Sequence, residues 1–527
     1  MKRFSFYGFL RITLWCISIA ACTLIFFLNF LYNASVSYDA REKVTIEAFR
    51  HEAHIVLLLA VALILLLVVS KKYLRHIHPQ ILVVTFSILY TGMALYLILN
   101  VDHTIRADAG TVFSIAKRLS DGDVSPFFKR GYIERYPQQT GLLFYDSVLQ
   151  LFTKGTWICF AANFCFVIGI NYIILKIAML LKKSRGVALL TIILSFAFLP
   201  QLLFVLFAYG LIPGFFFMCF AFYHAIRFTH FHRVHNAVSA IIGASLAACL
   251  KQNFLIGVIA IAIYWCLDAL RSRKKELLKA LIAISALLLC FSLPSQLIKL
   301  YYEHKTGGDL DGGTPAVLWI AMGTDMSNTY RGPGWYSGYN YSTYTNSVWD
   351  TELAAQQGTE KLIDNFKKMG GNPQRAIRFF KNKTISQWCE PMYQSAWSGP
   401  LEDCRQKTHT PLLQSIYNGG AAEEAIAFLS KTIVLFVFGF TIVFLLFQRK
   451  ETYGWELLLL FLIGGLIFHT FWEGKSQYIY PYVFSLIPIA AIGMVWAVNK
   501  IKQRRHSKGD VPFKTPMEQS DEGGTQE

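Results

Sequence analysis

The chain has 527 residues, of which 54% are hydrophobic, 15% aromatic and only 16% charged, where an ordinary soluble domain carries about 25% charged residues. That deficit excludes a soluble globular protein. The formal net charge of +17 falls in short clusters between apolar runs instead of one patch, which is the footprint of the positive-inside rule and leaves no nucleic-acid partner to argue for.

In chain order, Lys2, Arg3 and Arg11 precede an apolar run to about Tyr32, longer than the core of a cleavable signal and therefore read as a retained first span. Basic clusters at Lys71-Lys72-Arg75, Lys182-Lys183-Arg185, Arg227 to Arg233, Arg271 to Lys275, Arg449-Lys450 and Lys500 to Arg505 must all face the cytoplasm. Placing them so gives spans near 10–32, 54–70, 80–100, 156–181, 187–208, 211–228, 235–250, 253–270, 277–297, 425–447, 453–471 and 477–498, about twelve in all, with both termini cytoplasmic. The half-apolar stretch Thr140 to Phe152, carrying Asp146 and Gln150, must not cross, because a span there would put Lys182, Lys183 and Arg185 outside. It is expected as an interfacial or re-entrant helix.

The predicted fold class is therefore all-α: a polytopic membrane protein with amphipathic outer-leaflet helices and a large extracellular loop of helical and irregular structure. Its expected parts are a bundle over 1–300 with an extracellular catalytic loop at 101–152, a loop domain over 301–424, C-terminal membrane helices over 425–505, and a disordered cytoplasmic tail over 506–527. Three regions face outward, at about 33–51, 101–139 and 301–424; the last is rich in Gly, Tyr, Trp, Asn and Ser, which suits a folded cap with ring faces for sugars. Eight of the ten cysteines lie in apolar segments, while Cys389 and Cys404 sit in the polar region expected outside, where a disulfide between them and two free thiols are equally open. No P-loop or dinucleotide fingerprint is present.

Between Asp108 and Leu119, the residues Val112, Phe113, Ile115, Ala116 and Leu119 recur at helical spacing, predicting an amphipathic helix lying on the membrane. Asp108 near its start is either a helix cap or a general base, and Asp102 stands at the preceding span boundary. Attack on a lipid-phosphate sugar needs one carboxylate to take the acceptor's proton and cations to hold the departing phosphate. Candidate cations are Arg135, Lys251 and Lys475. Lys251, alone in the apolar hairpin LKQNF, is the most informative, since an unpaired lysine there costs a few kcal/mol. The doublets Asp121/Asp123 and Asp309/Asp311 admit a divalent cation, Mg or Mn, but such turns are commonplace and no metal ligand set is assigned.

These residues carry a resemblance. The pieces DAGTVFSIAKRLSDG from Asp108, RYPQQTG from Arg135, LKQNFLI from Leu250, AMGTD from Ala321, GPGWYSGYN from Gly332 and WEGKSQYIYP from Trp472, in this order, resemble the GT-C class of polytopic glycosyltransferases. The resemblance is to the protein-mannosyltransferase-like (family 39) group of Gram-positive bacteria in particular. It implies an inverting transfer from a polyprenyl-phosphate-linked sugar to an extracytoplasmic glycan or cell-envelope acceptor, with the catalytic acid in the early outer loop. That role falls on Asp108, with Asp102 as the alternative. The same motifs supply candidate substrate contacts at Tyr136, Gln138, Asn253, Trp335, Tyr336, Glu473 and Tyr478. Nucleotide sugars are cytoplasmic while these carboxylates are expected outside, which favours a lipid-borne donor. A flippase or transporter, or a polymerase, of lipid-linked saccharides is the competing class; a transporter would place ionisable groups at the bilayer midplane, and few stand there.

Overall fold

The computed structural model describes residues 6–49, 55–56, 59, 77–272, 274–328, 330–449 and 452–509. Almost all ordered structure is helical; the exception is an antiparallel hairpin, Tyr32–Val36 with Val44–Ala48, paired Tyr32 to Ala48 through Val36 to Val44. Among the described residues seven helices are long and apolar enough to cross a bilayer, or nine if two bent pairs each count as one span. The bends are 52° between Arg185–Ala197 and Pro200–Leu206, and 47° between Ser476–Ser485 and Ile487–Ile501. Pro200 opens the first bend, where a proline cannot donate to the preceding turn. The expected spans at 235–250 and 453–471 fall on the shorter apolar helices Val234–Leu250 and Trp455–Phe471, of 17 residues each, which reach about 26 Å, the lower end of what a bilayer crossing needs. The expected span at 54–70 lies outside the described residues.

Small residues let the bundle close. Leu211–Phe231 and Val234–Leu250 form a tight helical pair over Ala237, Ala240, Gly243, Ala244 and Ala247, which are all buried. Helix Ala421–Phe447 packs as closely on Ile487–Gly509, where a Cβ on Gly493 would fall 2.0 Å from the Phe440 carbonyl oxygen. Close small-residue contacts of this kind replace the hydrophobic drive that lipid does not supply.

Four of the basic clusters gather at one end with Arg11. Arg11 pairs with Glu456 at 2.8 Å and reaches the Arg449 carbonyl, Lys182 donates to Gln448, Arg271 lies 4.8 Å over Tyr453, and His232 and Arg271 flank Asp268. Lys251 and Lys475 lie with the loops at the opposite end.

Several sequence expectations need correction. Helix Ala107–Ser120 forms with the predicted stripe buried, but the stripe packs on protein, against Leu142, Leu143, Tyr302 and Leu310; helix Thr140–Leu149 takes the place assigned to lipid. Asp146 in that helix is buried, and burial holds its carboxyl well above the usual range. The loop expected at 33–51 holds a hairpin, because Val36, Val44 and Tyr38 pack onto Trp335 and Trp397. The cap boundary shifts: helix Leu293–Thr306 runs past 300, and Ala421–Phe447 begins before 425. The last helix continues to Gly509, into the stretch expected as a tail over 506–527, and 510–527 lies outside the described residues. Cys389 is buried and Cys404 exposed, each as a free thiol. The cap is helical, with Asp350, Asn372 and Thr410 accepting from the backbone of residues three on, and proline follows the last two, the pattern of capped helix starts.

Candidate active site

Asp108 reaches its place through a strained turn. Arg106 donates to the carbonyls of Trp397 and Gly399 and lies 4.2 Å over the Trp397 ring. Ala107 follows at φ 54°, a left-handed conformation that costs a non-glycine about 1–2 kcal/mol. Asp108 then stands exposed in the first helical turn, and the cap position belongs to Arg106, so Asp108 does not cap the helix with its side chain. Its carboxylate accepts from the Tyr209 hydroxyl at 3.4 Å and from Tyr132, while Gln139 donates to the same Tyr209 hydroxyl at 2.8 Å.

Lys251 ends helix Val234–Leu250. Its ammonium lies 3.6 Å from the Tyr209 ring centroid and 5.7 Å from that of Tyr478, and donates to the Tyr209 carbonyl at 3.3 Å. The face of an aromatic ring attracts a cation without neutralising it. Burial pushes the amine down to about 7, opposed by Asp108 and Glu473 and reinforced by Lys475. Gly141 permits this approach: a Cβ there would lie 2.1 Å from the Cys249 carbonyl oxygen. Asn253, two residues on, has an enclosed amide nitrogen without a partner and lines a narrow cleft with Lys251 and Tyr478.

The third component is the turn after helix Trp455–Phe471. Glu473 is buried, and burial pushes it up to about 7. Burial alone would lower Lys475, but Glu42 and Glu473 hold it above its ordinary value. Glu42 has no exposed side-chain surface and pairs with Lys475 at 2.9 Å and with Arg331, and Gln394 donates to it at 2.6 Å. Burial opposes its charge, yet the two cations hold its carboxyl below the usual range. Tyr336 lies under Arg331 at 5.2 Å and within the fields of Glu473 and Asp108. Lys383, itself buried, fixes the turn from behind, donating to the carbonyls of Gly323 at 2.5 Å, Trp472 at 2.6 Å and Thr470 at 3.0 Å.

Of the residues singled out from sequence, Asp108, Lys251, Asn253, Tyr336, Glu473, Lys475 and Tyr478 come together, with Tyr136 at the edge, where Asp108 bears on it. Asp102 does not: it accepts from the Lys407 backbone at 2.8 Å and faces His409 at 3.3 Å, tying the loop to the cap. Arg135 turns toward Tyr341 and Trp349, at 4.8 and 4.9 Å, and donates to the Arg130 carbonyl. Trp335 is fully buried, donating to Ser386 at 2.8 Å, and offers no open ring face. Gln138 lies in the short turn Pro137–Gln139, and its neighbour Gln139 is the glutamine bonded to Tyr209. Sequence reasoning missed Tyr209, Tyr132, Gln139, Glu42, Arg331 and Lys383. The signal for Tyr209 is a polar ring in FAYGLIP between two apolar runs; nothing local marks Glu42 as a partner of Lys475.

The acidic doublets resolve into ordinary contacts. Asp123 pairs with Arg118 at 2.6 Å and caps Ser125, while Asp311 and Glu303 share Lys299. Glu303, Asp309 and Asp311 bring oxygens within 4.8 Å of one another, and Lys299 pairs with two of the three.

The chain belongs to the family described as "conserved hypothetical integral membrane protein", whose match spans residues 9–498. No curated protein matches it, and no solved structure does.

Proposed function

We propose that this protein is a membrane glycosyltransferase of the GT-C type, transferring a sugar with inversion from a polyprenyl-phosphate donor to an extracytoplasmic glycan or cell-envelope acceptor. The observation that carries the reading is the meeting of Asp108 and Lys251 around Tyr209, at the end of the bundle away from the basic clusters. Asp108 takes the proton from an acceptor hydroxyl as its oxygen attacks the anomeric carbon. The bond from that carbon to the phosphate oxygen breaks, and its electron pair leaves on the phosphate. Lys251 meets the charge growing on that oxygen, and the Glu42-anchored Lys475 stands within its field. A buried amine near neutrality is strongly stabilised by an arriving phosphate, so electrostatic gain is largest as the leaving group departs. No covalent enzyme intermediate is needed.

The test is release of free polyprenyl phosphate from labelled lipid-phosphate sugars by protein in liposomes, with extracted cell-envelope glycan as acceptor. Wild type releases it and Asp108→Asn slows release by roughly 10²–10⁴-fold. Equal rates for the two proteins overturn the assignment, and movement of lipid-linked sugar across the bilayer without release marks a flippase instead.

A further inference from the structure

Behind the Glu42–Lys475 pair lies a cavity of about 550 Å³ that the proposed chemistry does not use. It sits between the 32–48 hairpin, the turn at 390–397 and the first turns of Ala421–Phe447, and its volume is within the range of small-molecule sites. Four carboxylates line it, Glu47, Glu390, Glu423 and Glu424, together with Tyr38 and Trp397. Among the described residues the wall's one cation, Lys431, spends its three donors on Asn29 at 3.0 Å, the Tyr32 carbonyl at 2.8 Å and the Cys389 carbonyl at 3.1 Å, so it has none left for a ligand. Among the described residues none of the four carboxylates forms an ion pair. Asn33 in the same wall has an enclosed amide oxygen without a partner.

We propose that this cavity binds a saccharide bearing a primary ammonium group, which is the acceptor of the transfer. The carboxylates repel a phosphate and so exclude the lipid donor, while an ammonium supplies the charge that the described wall lacks. Glu390 is held by Ser476 at 2.7 Å and by the backbone of Met392 and Gln394, and burial pushes it up to about 7; burial also raises Glu423, with Glu424 adding to it. A carboxyl desolvated by burial gains more from an arriving cation than a solvated one does. Asn33 gives a polar partner for a sugar hydroxyl and Tyr38 a ring face. The cavity also shares its wall with the candidate site: Gln394 donates to Glu42, and Trp397 lies 5.4 Å below Lys475 and 4.2 Å below Arg106. Naming the ligand an acceptor rests on the transferase reading; its binding does not.

The experiment is calorimetric titration of the full chain in nanodiscs with glucosamine, N-acetylglucosamine, glucose and ethanolamine. Glucosamine is expected to bind about tenfold or more tighter than each of the others, since a charge-assisted contact is roughly twice as strong as a neutral one. The preference should vanish in Glu423→Gln/Glu424→Gln and persist in Asp108→Asn, so that loss of the catalytic reading and loss of this one are told apart. Equal binding of the three sugars, no saturable binding, or a preference untouched by the double variant overturns the proposal. Ethanolamine binding as tightly as glucosamine overturns it in favour of an aminolipid headgroup.

Discussion

Binding of a polyprenyl phosphate should consume a proton above neutral pH, and the site gives the size of the effect. Lys251 falls from its ordinary 10.5 to about 7 because its ammonium is buried over Tyr209. In the free protein it is therefore largely neutral at pH 8, yet the phosphate requires the charged form. Binding takes up a proton, so apparent affinity drops as pH rises, by up to about tenfold for each pH unit above 7 until the amine's value in the complex is reached. Glu473, near 7, becomes anionic over the same window and repels the ligand in the same direction; Lys475 stays charged because Glu42 and Glu473 hold it so. Equilibrium binding of polyprenyl phosphate to nanodisc-held Glu473→Gln protein between pH 7 and 9 isolates Lys251. A fall of roughly 10–100-fold is expected there, and a flat profile once Lys251→Arg is added, because arginine stays charged throughout. A flat profile with Lys251 intact, or the same slope with arginine in its place, refutes the reasoning.

Removing the Glu42 carboxylate leaves Lys475 and Arg331 without their shared partner, so Glu42→Gln should cost about 3–5 kcal/mol in detergent unfolding, part of it recovered by adding Lys475→Met; wild-type stability would show the pairs to be incidental. Glu473 carries the opposite sign. Its folded value is raised from 4.5 to about 7, so the folded state holds the proton more tightly and stability is lost as pH climbs through that window. Glu473→Gln should therefore match wild type below pH 4.5 and exceed it above pH 7, by at most about 3 kcal/mol; parallel melting curves across the range would contradict this. Asp102→Asn, whose side chain contacts the 407–409 segment, should retain transfer where Asp108→Asn does not, and equal loss in both would reopen the choice between them.

What was legible in the sequence is what local pattern encodes. The stripe Val112, Phe113, Ile115, Ala116 and Leu119 has helical spacing, and the helix is there with that face buried; what covers it is a tertiary fact, and Leu142, Leu143 and Tyr302 come from distant segments. Lys251 stood out because an isolated lysine in an apolar hairpin demands a compensating contact, and Tyr209 provides it. Arg135 and Trp335 carried equal promise as residue types, yet aromatic neighbours from the cap draw one away and the Ser386 contact buries the other. Glu42 was invisible for the same reason that it matters: 433 residues separate it from Lys475, and only the hairpin's packing on the cap brings them together.

The most direct test of transfer at the Asp108 face is the glycan composition of the cell envelope in a deletion strain complemented with wild type or with Asp108→Asn at equal membrane levels. The account predicts that one sugar substituent is missing in the deletion, returns with wild type and stays missing with the variant. Restoration by Asp108→Asn would contradict it.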